Sequence, residues 1–171
     1  MTKIINHIKN NAILYLIIVL CLVILAIAIF MKAEPKKEIL DTKHFKVVTL
    51  DEALKLFDDD SPKYLLISTN TCTATIGFSP TLIIAGAKAG ITIHYLELND
   101  IDKSNKEVMA KFYEFQRKLD IEYSLKDETK KLGEFIGTTP MNVIIKNKKV
   151  AFAYIGAMSQ DTTYAVMTRY M

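Results

Sequence analysis

The chain falls into two regimes of apolar and polar positions. Ala12 to Met31 is a run of 20 residues with no charge, Pro or Gly. In a helix rising about 1.5 Å per residue, such a run spans a hydrocarbon core of about 30 Å. A helix in a globular domain is rarely apolar on every face for that length. A cleaved signal peptide has a shorter apolar region, about 7–15 residues, and ends at small residues. Here the run closes on Phe30-Met31-Lys32. The pattern predicts an uncleaved membrane anchor over 12–31. Lys3 and Lys9 precede it, and Lys32, Lys36 and Lys37 follow it, so the count of flanking basic residues is nearly balanced. A short basic N-terminus before a first span places 1–11 in the cytoplasm and the C-terminal part outside the cell membrane.

Beyond a charged linker, 32–43, periodicity changes repeatedly. His44 to Val48 reads as a strand. Thr49 to Phe57 reads as a helix, with Thr49 as N-cap and Glu52 at the capping-box spacing. Asp58 to Pro62 is a turn; its three aspartates lack any further ligand pattern and are read as loop acids, not a metal site. Tyr64 to Ser68 is a buried strand, Ser79 to Gly90 a helix, and Ile91 to Leu98 a β-branched, partly alternating strand. Ser104 to Leu119 is an amphipathic helix whose Val108, Phe112, Phe115 and Leu119 lie on one face, read as packing. Asp127 to Phe135 is predicted as a short helix. Met141–Ile145 and Val150–Ile155 form a hairpin around the turn 146–149, and a helix over about 161–169 closes the chain. Alternating strands and helices followed by a hairpin imply a mixed α/β sheet with helices on both faces over 44–171.

Charge and cysteine content narrow the function. The net charge is +3, and Lys3 and Lys9 supply two of its positive charges. The rest of the chain is nearly neutral, with no one-signed field that would suit nucleic acid. Of the two cysteines, Cys21 lies in the apolar run and Cys72 far outside it, so no internal disulfide framework is expected. No Ser-His-Asp set, phosphate loop or metal-ligand spacing is present, and no cofactor is implied. His94, on a strand among apolar residues, is read as a satisfied or edge histidine. His44 and His7 are read as exposed.

The chemistry then centres on Thr69-Asn70-Thr71-Cys72-Thr73-Ala74-Thr75, between a buried strand and a helix. Four features coincide in order: Cys72 at that junction, Pro80 eight residues later, Thr139-Pro140 before a strand, and Gly156-Ala157 after the hairpin. Together they resemble the thioredoxin-like superfamily over about 43–171, nearest to a membrane-anchored type such as the bacteriocin-accessory proteins. The resemblance implies a thioredoxin-like mixed sheet and a cis-Pro140 facing Cys72. It also implies a peptide-binding groove built from Thr73, Ala74, Thr139, Pro140 and Met141. The extra length between Cys72 and Pro140 is assigned to a helical insertion at about 100–122.

The departures bear on activity. The family's C-x-x-C stands here as Cys72-Thr73-Ala74-Thr75, so the resolving cysteine is Thr75. The Trp before the first Cys is Thr71, and the buried acid six residues before it is Leu66. A dithiol enzyme needs one sulfur to attack and a second to release the mixed disulfide, so dithiol oxidoreductase activity is not expected. A cysteine at a helix N-terminus is held below its free pKa of about 8.5, and the Thr75 hydroxyl is expected to add a donor. Two readings follow. In one, Cys72 captures a protein or peptide thiol partner outside the membrane as a mixed disulfide. In the other, the fold is a redox-inactive binding or structural module of a membrane assembly, such as a bacteriocin export or immunity system.

Overall fold

The computed structural model describes residues 16–25 and 38–171. The chain divides into two units, Met1–Lys37 and Glu38–Met171. In the first, residues 16–25 are helical, with exposed apolar side chains from Leu16 to Leu25. Half of the expected anchor, 12–31, lies outside the described residues. Among the described residues, no helix is long and apolar enough to cross a membrane.

The second unit is built on a five-stranded sheet in the order β1-β3-β2-β6-β7. Its strands are β1 (Lys46–Val48), β2 (Lys63–Ser68), β3 (Ile93–Glu97), β6 (Met141–Lys146) and β7 (Lys149–Ile155). Both β1 and β2 run parallel to β3, whereas β6 runs antiparallel to β2 and to β7. Four helices cover it: α1 (Leu50–Lys55), α2 (Thr73–Ala89), α3 (Lys106–Lys118) and α4 (Gln160–Tyr170). The pleat sorts side chains to two cores. Leu65, Ile67, Val143 and Ile145 pack with Phe57 beneath α1, and with Phe115 of α3. Tyr64, Leu66, Tyr95 and Ile144 pack beneath α2 and α4, against Phe78, Leu82 and Met167. This is the mixed sheet with helices on both faces that the pattern predicts.

Local chemistry explains most boundaries. The Thr49–Glu52 capping box forms: the Thr49 N–H donates to Glu52 Oε2 at 2.8 Å and the Glu52 N–H to Thr49 Oγ1 at 3.3 Å. The 146–149 turn closes with Asn147 and Lys148 at φ 53° and 62°, both in the left-handed region that a two-residue hairpin loop requires. Gly90 ends α2 at φ 69°, the left-handed C-terminal position glycine favours.

Two expectations are corrected. Helix α2 begins at Thr73, not Ser79, and carries Pro80 inside it. Proline has no N–H to give the carbonyl four residues back. The Ser79 hydroxyl donates to that carbonyl, Ile76 O, at 2.9 Å, so the helix runs through the proline with its acceptor satisfied. The predicted helix over 127–135 is instead a strand and a 3₁₀ turn. β4 (Glu122–Leu125) and β5 (Glu128–Lys131) form a separate hairpin, followed by a 3₁₀ turn at Leu132–Phe135. Lys126 takes φ 54° in its two-residue loop, and Ser124 and Thr129 hydroxyls meet across it at 2.8 Å. Glu128-Thr129-Lys130-Lys131 is exposed throughout and has no apolar stripe to bury as a helix. Helix α3 falls within the insertion expected at about 100–122, and the hairpin follows it.

Phe115 is fully buried and packs edge-on against Phe57, ring centroids 6.3 Å apart. Phe115→Ala should cost about 3–5 kcal/mol of unfolding free energy, read by urea denaturation of the 38–171 unit within the full chain. A loss of less than about 1 kcal/mol would return this aromatic stripe to the surface.

Candidate functional site

The site lies where β2 ends. Strand β2 is buried from Tyr64 to Ser68. The chain then turns tightly, the Cys72 N–H donating to Thr69 O at 3.1 Å. Cys72 is the N-cap of α2, with φ −72° and ψ 111°, and its carbonyl accepts from the Ile76 N–H at 2.9 Å. Its side chain makes no capping bond to the helix, which leaves the sulfur free to face the neighbouring loop. Cys21 and Cys72 are both free thiols.

That neighbouring loop is Thr139-Pro140, joined by a cis peptide bond. The Cys72 thiol donates to Thr139 O at 3.7 Å. The loop is braced from β7: the Gly156 N–H donates to Pro140 O at 2.7 Å, and Asn142 Nδ2 donates to Gly156 O at 3.0 Å. Gly156 adopts φ 113°, a conformation that a side chain would disfavour. The four spaced motifs are thereby accounted for. Cys72 and Thr139-Pro140 meet, Gly156 braces the proline, and Pro80 lies in the helix that Cys72 caps.

The other predicted residues are placed differently from one another. Thr73 and Ala74 are exposed beside the sulfur, Thr139 is half-buried and Pro140 buried. Met141 is fully buried in the core beneath α1 and α3, so its side chain does not line a groove beside Cys72. Alternation decides this: Met141 begins β6 on its core-facing side. Thr75 is also fully buried, and its hydroxyl lies 2.5 Å from that of Ser68, the last residue of β2. Leu66 is buried among apolar neighbours, leaving no acid at that place. His94 is buried with Nδ1 3.2 Å from Tyr64 O, and burial pushes its pKa down. A cavity of about 720 Å³ lined by His94, Lys46 and Lys63 lies at the other end of β2 and does not include Cys72. Among the described residues, no three His, Cys, Asp or Glu gather as a metal site.

The environment of Cys72 favours its thiolate. Partial burial pushes the thiol pKa up, but polar neighbours outweigh it: the Thr139 hydroxyl, the Thr75 hydroxyl, and the Thr75 and Ala74 N–H groups, none of which makes a capping bond to the sulfur, together hold it below its ordinary value. The Thr139 carbonyl pulls the other way, by accepting from the neutral thiol. At 3.7 Å it is a long contact, and the net shift is downward, with the Thr139 side chain the largest of the lowering influences.

Sequence reasoning missed Glu97 and Ser68. Glu97 is a buried carboxylate at the end of β3, in register with Ser68. An acid closing a strand of otherwise buried residues was the available signal.

No protein-family model matches the chain, and no curated protein matches it in sequence. Solved structures do match the fold. Fasciola hepatica thioredoxin aligns with a TM-score of 0.50 at 14% identity, covering 74% of this chain and all (100%) of that one. Plasmodium falciparum thioredoxin gives 0.49 at 12% identity, covering 74% and 99%. A yeast mitochondrial 1-Cys peroxiredoxin gives 0.47 at 13% identity, covering 74% and 92%. The chain has a thioredoxin-like fold, and the first of these alignments carries that statement.

The lowered thiol pKa has a direct readout. Alkylation of Cys72 should reach its plateau at lower pH than that of a free cysteine, near 8.5. Following the Cys72 peptide by mass spectrometry across pH checks it, and a free-cysteine titration would show the donors to be ineffective.

Proposed function

We propose that this protein is a membrane-anchored, single-thiol member of the thioredoxin-like class that captures a partner through Cys72. The observation that carries the reading is the meeting of a thiolate-favouring Cys72 with the cis-Thr139-Pro140 loop. The Cys72 thiolate attacks a disulfide of the partner. One S–S bond breaks, a new one forms between Cys72 and a partner sulfur, and the other partner sulfur leaves as thiolate. Thr75 occupies the place from which a second thiol would attack in turn, so release needs an external thiol. Exposed Thr73 and Ala74 and the Thr139 backbone form the contact surface for an extended segment of the partner.

The anchor at 12–31 and an extracytoplasmic position for 38–171 are part of this proposal, supported by the uncharged run and the short basic N-terminus. Placement beside the bacteriocin-accessory proteins rests on the anchor and the four spaced motifs. The competing reading, a redox-silent binding module, draws on the loss of the second sulfur and of the acid at Leu66.

Trapping in the native host separates the two. Wild type should give a reducible covalent adduct on non-reducing gels that Cys72→Ser abolishes; absence of any Cys72-dependent adduct favours the silent module. Thr75→Cys should shorten the adduct's lifetime, because the introduced thiol attacks the Cys72 sulfur and expels the partner. An adduct of unchanged lifetime would mean that position 75 does not face the mixed disulfide. Protease added to intact cells should remove the 38–171 unit, and its survival would reverse the orientation.

A further inference from the structure

The carboxylate of Glu97 is buried, at 5% exposure, yet belongs to no ion pair among the described residues. It accepts three hydrogen bonds: from the Asn70 N–H at 2.6 Å, the Tyr95 hydroxyl at 2.7 Å and the Asn99 N–H at 2.9 Å. Two of these tie Glu97 to its own strand end. The third reaches across to the turn that delivers Cys72. Asn70 is the second residue of the Thr69–Cys72 turn, and both of its backbone groups are taken. Its N–H is held by Glu97 and its carbonyl accepts from the Leu40 N–H at 2.8 Å. Leu40 is itself buried in the core beneath α2. A charged acceptor on a backbone N–H makes a shorter and stronger bond than a neutral one, and a short turn held at one central peptide has little freedom left.

We propose that Glu97 is a positioning residue for Cys72, its buried carboxylate gripping the Asn70 N–H and so fixing the turn that presents the sulfur to the start of α2 and to Thr139. The inference rests on the reading of Cys72 as a reactive thiol. It assigns to β3 a part in that site which nothing in the C-x-x-T stretch itself supplies. The titratable groups of this corner are Tyr95, Glu97 and Asp100 at the end of β3. Helix α2 has no acid in its first turn, and Thr138-Thr139-Pro140 brings no charge.

The sign of one measurement distinguishes positioning from bare charge. Removing a negative group near a thiolate lowers the thiol pKa by simple electrostatics. Loosening the turn raises it, because the helix N–H groups and Thr139 hydroxyl lose their aim. In the full chain, with the Cys72 peptide followed by mass spectrometry, Glu97→Gln should move the alkylation midpoint upward. Alkylation below both midpoints should slow by about threefold to tenfold, tenfold being one pH unit. Asn70→Pro deletes the N–H and keeps the carboxylate. Asn70 is not among the residues with positive φ, and proline suits the second position of such a turn. It should shift the midpoint in the same direction, and the double variant should shift it no further than either alone. Tyr95→Phe removes a different donor from Glu97, and should leave the midpoint in place.

A midpoint that stays put or falls in Glu97→Gln overturns the proposal, as does a Tyr95→Phe shift equal to that of Asn70→Pro. Circular dichroism melts identify any variant that fails to fold, and Asn70→Pro decides alone if Glu97→Gln is lost. A wild-type Cys72 that titrates like free cysteine would instead overturn the reactive-thiol reading, and this inference with it. A low wild-type midpoint unmoved by the variants overturns only the role of Glu97.

Discussion

β2 is buried along almost its whole length, between parallel β3 and antiparallel β6, and this burial sets the direction in which the chain arrives at Cys72. A central strand has both rows of backbone groups paired, so neither its register nor its end can drift without exposing unpaired donors. Ser68 is the last paired residue, opposite Glu97 of β3. The candidate site begins within a few residues of that end. The turn reverses the chain, Cys72 caps α2, and the same sheet carries β6, whose start positions Thr139-Pro140 against the sulfur.

The sheet's two-faced core explains why the site can be small and still well placed. Helix α2 is held on one face by Phe78, Leu82 and Ala85, and α1 and α3 close the other through Phe57 and Phe115. The cis-Pro140 loop is braced by Gly156 and Asn142, and the Cys72 turn by Glu97 and Leu40. Neither brace touches the sulfur, and both act by holding backbone. A thiol so placed is suited to attack. Thr75 stands buried against Ser68 beside it, which is the ground on which the proposed capture by Cys72 includes no release by a neighbouring thiol.

Much of this was legible in residue order. The strands followed from β-branched and apolar runs, α1 from its Thr49–Glu52 box, and the Cys72 corner from the family resemblance that Pro80, Thr139-Pro140 and Gly156-Ala157 carry. The misreadings share a cause: hydrogen bonds that periodicity does not show decided the local structure. Helix α2 starts at Thr73 and runs through Pro80, the Ser79 hydroxyl taking the Ile76 carbonyl that the proline cannot serve. The 127–135 segment had no apolar stripe of its own, and pairing with Glu122–Leu125 made it a strand. Met141 followed the proline in sequence but faced the core by the pleat's alternation.

By itself, then, the order of residues determined the α/β class, the uncharged run at 12–31, and the single cysteine, Cys72, beyond that run. Local periodicity and covalent composition are enough for these, because each depends on residues close together in the chain. Tertiary structure alone decided that Glu97, 25 residues after Cys72 in sequence, grips the turn before it through the Asn70 N–H. Such contacts join residues through parallel strand pairing, and pairing register is a property of the folded sheet and not of any one strand.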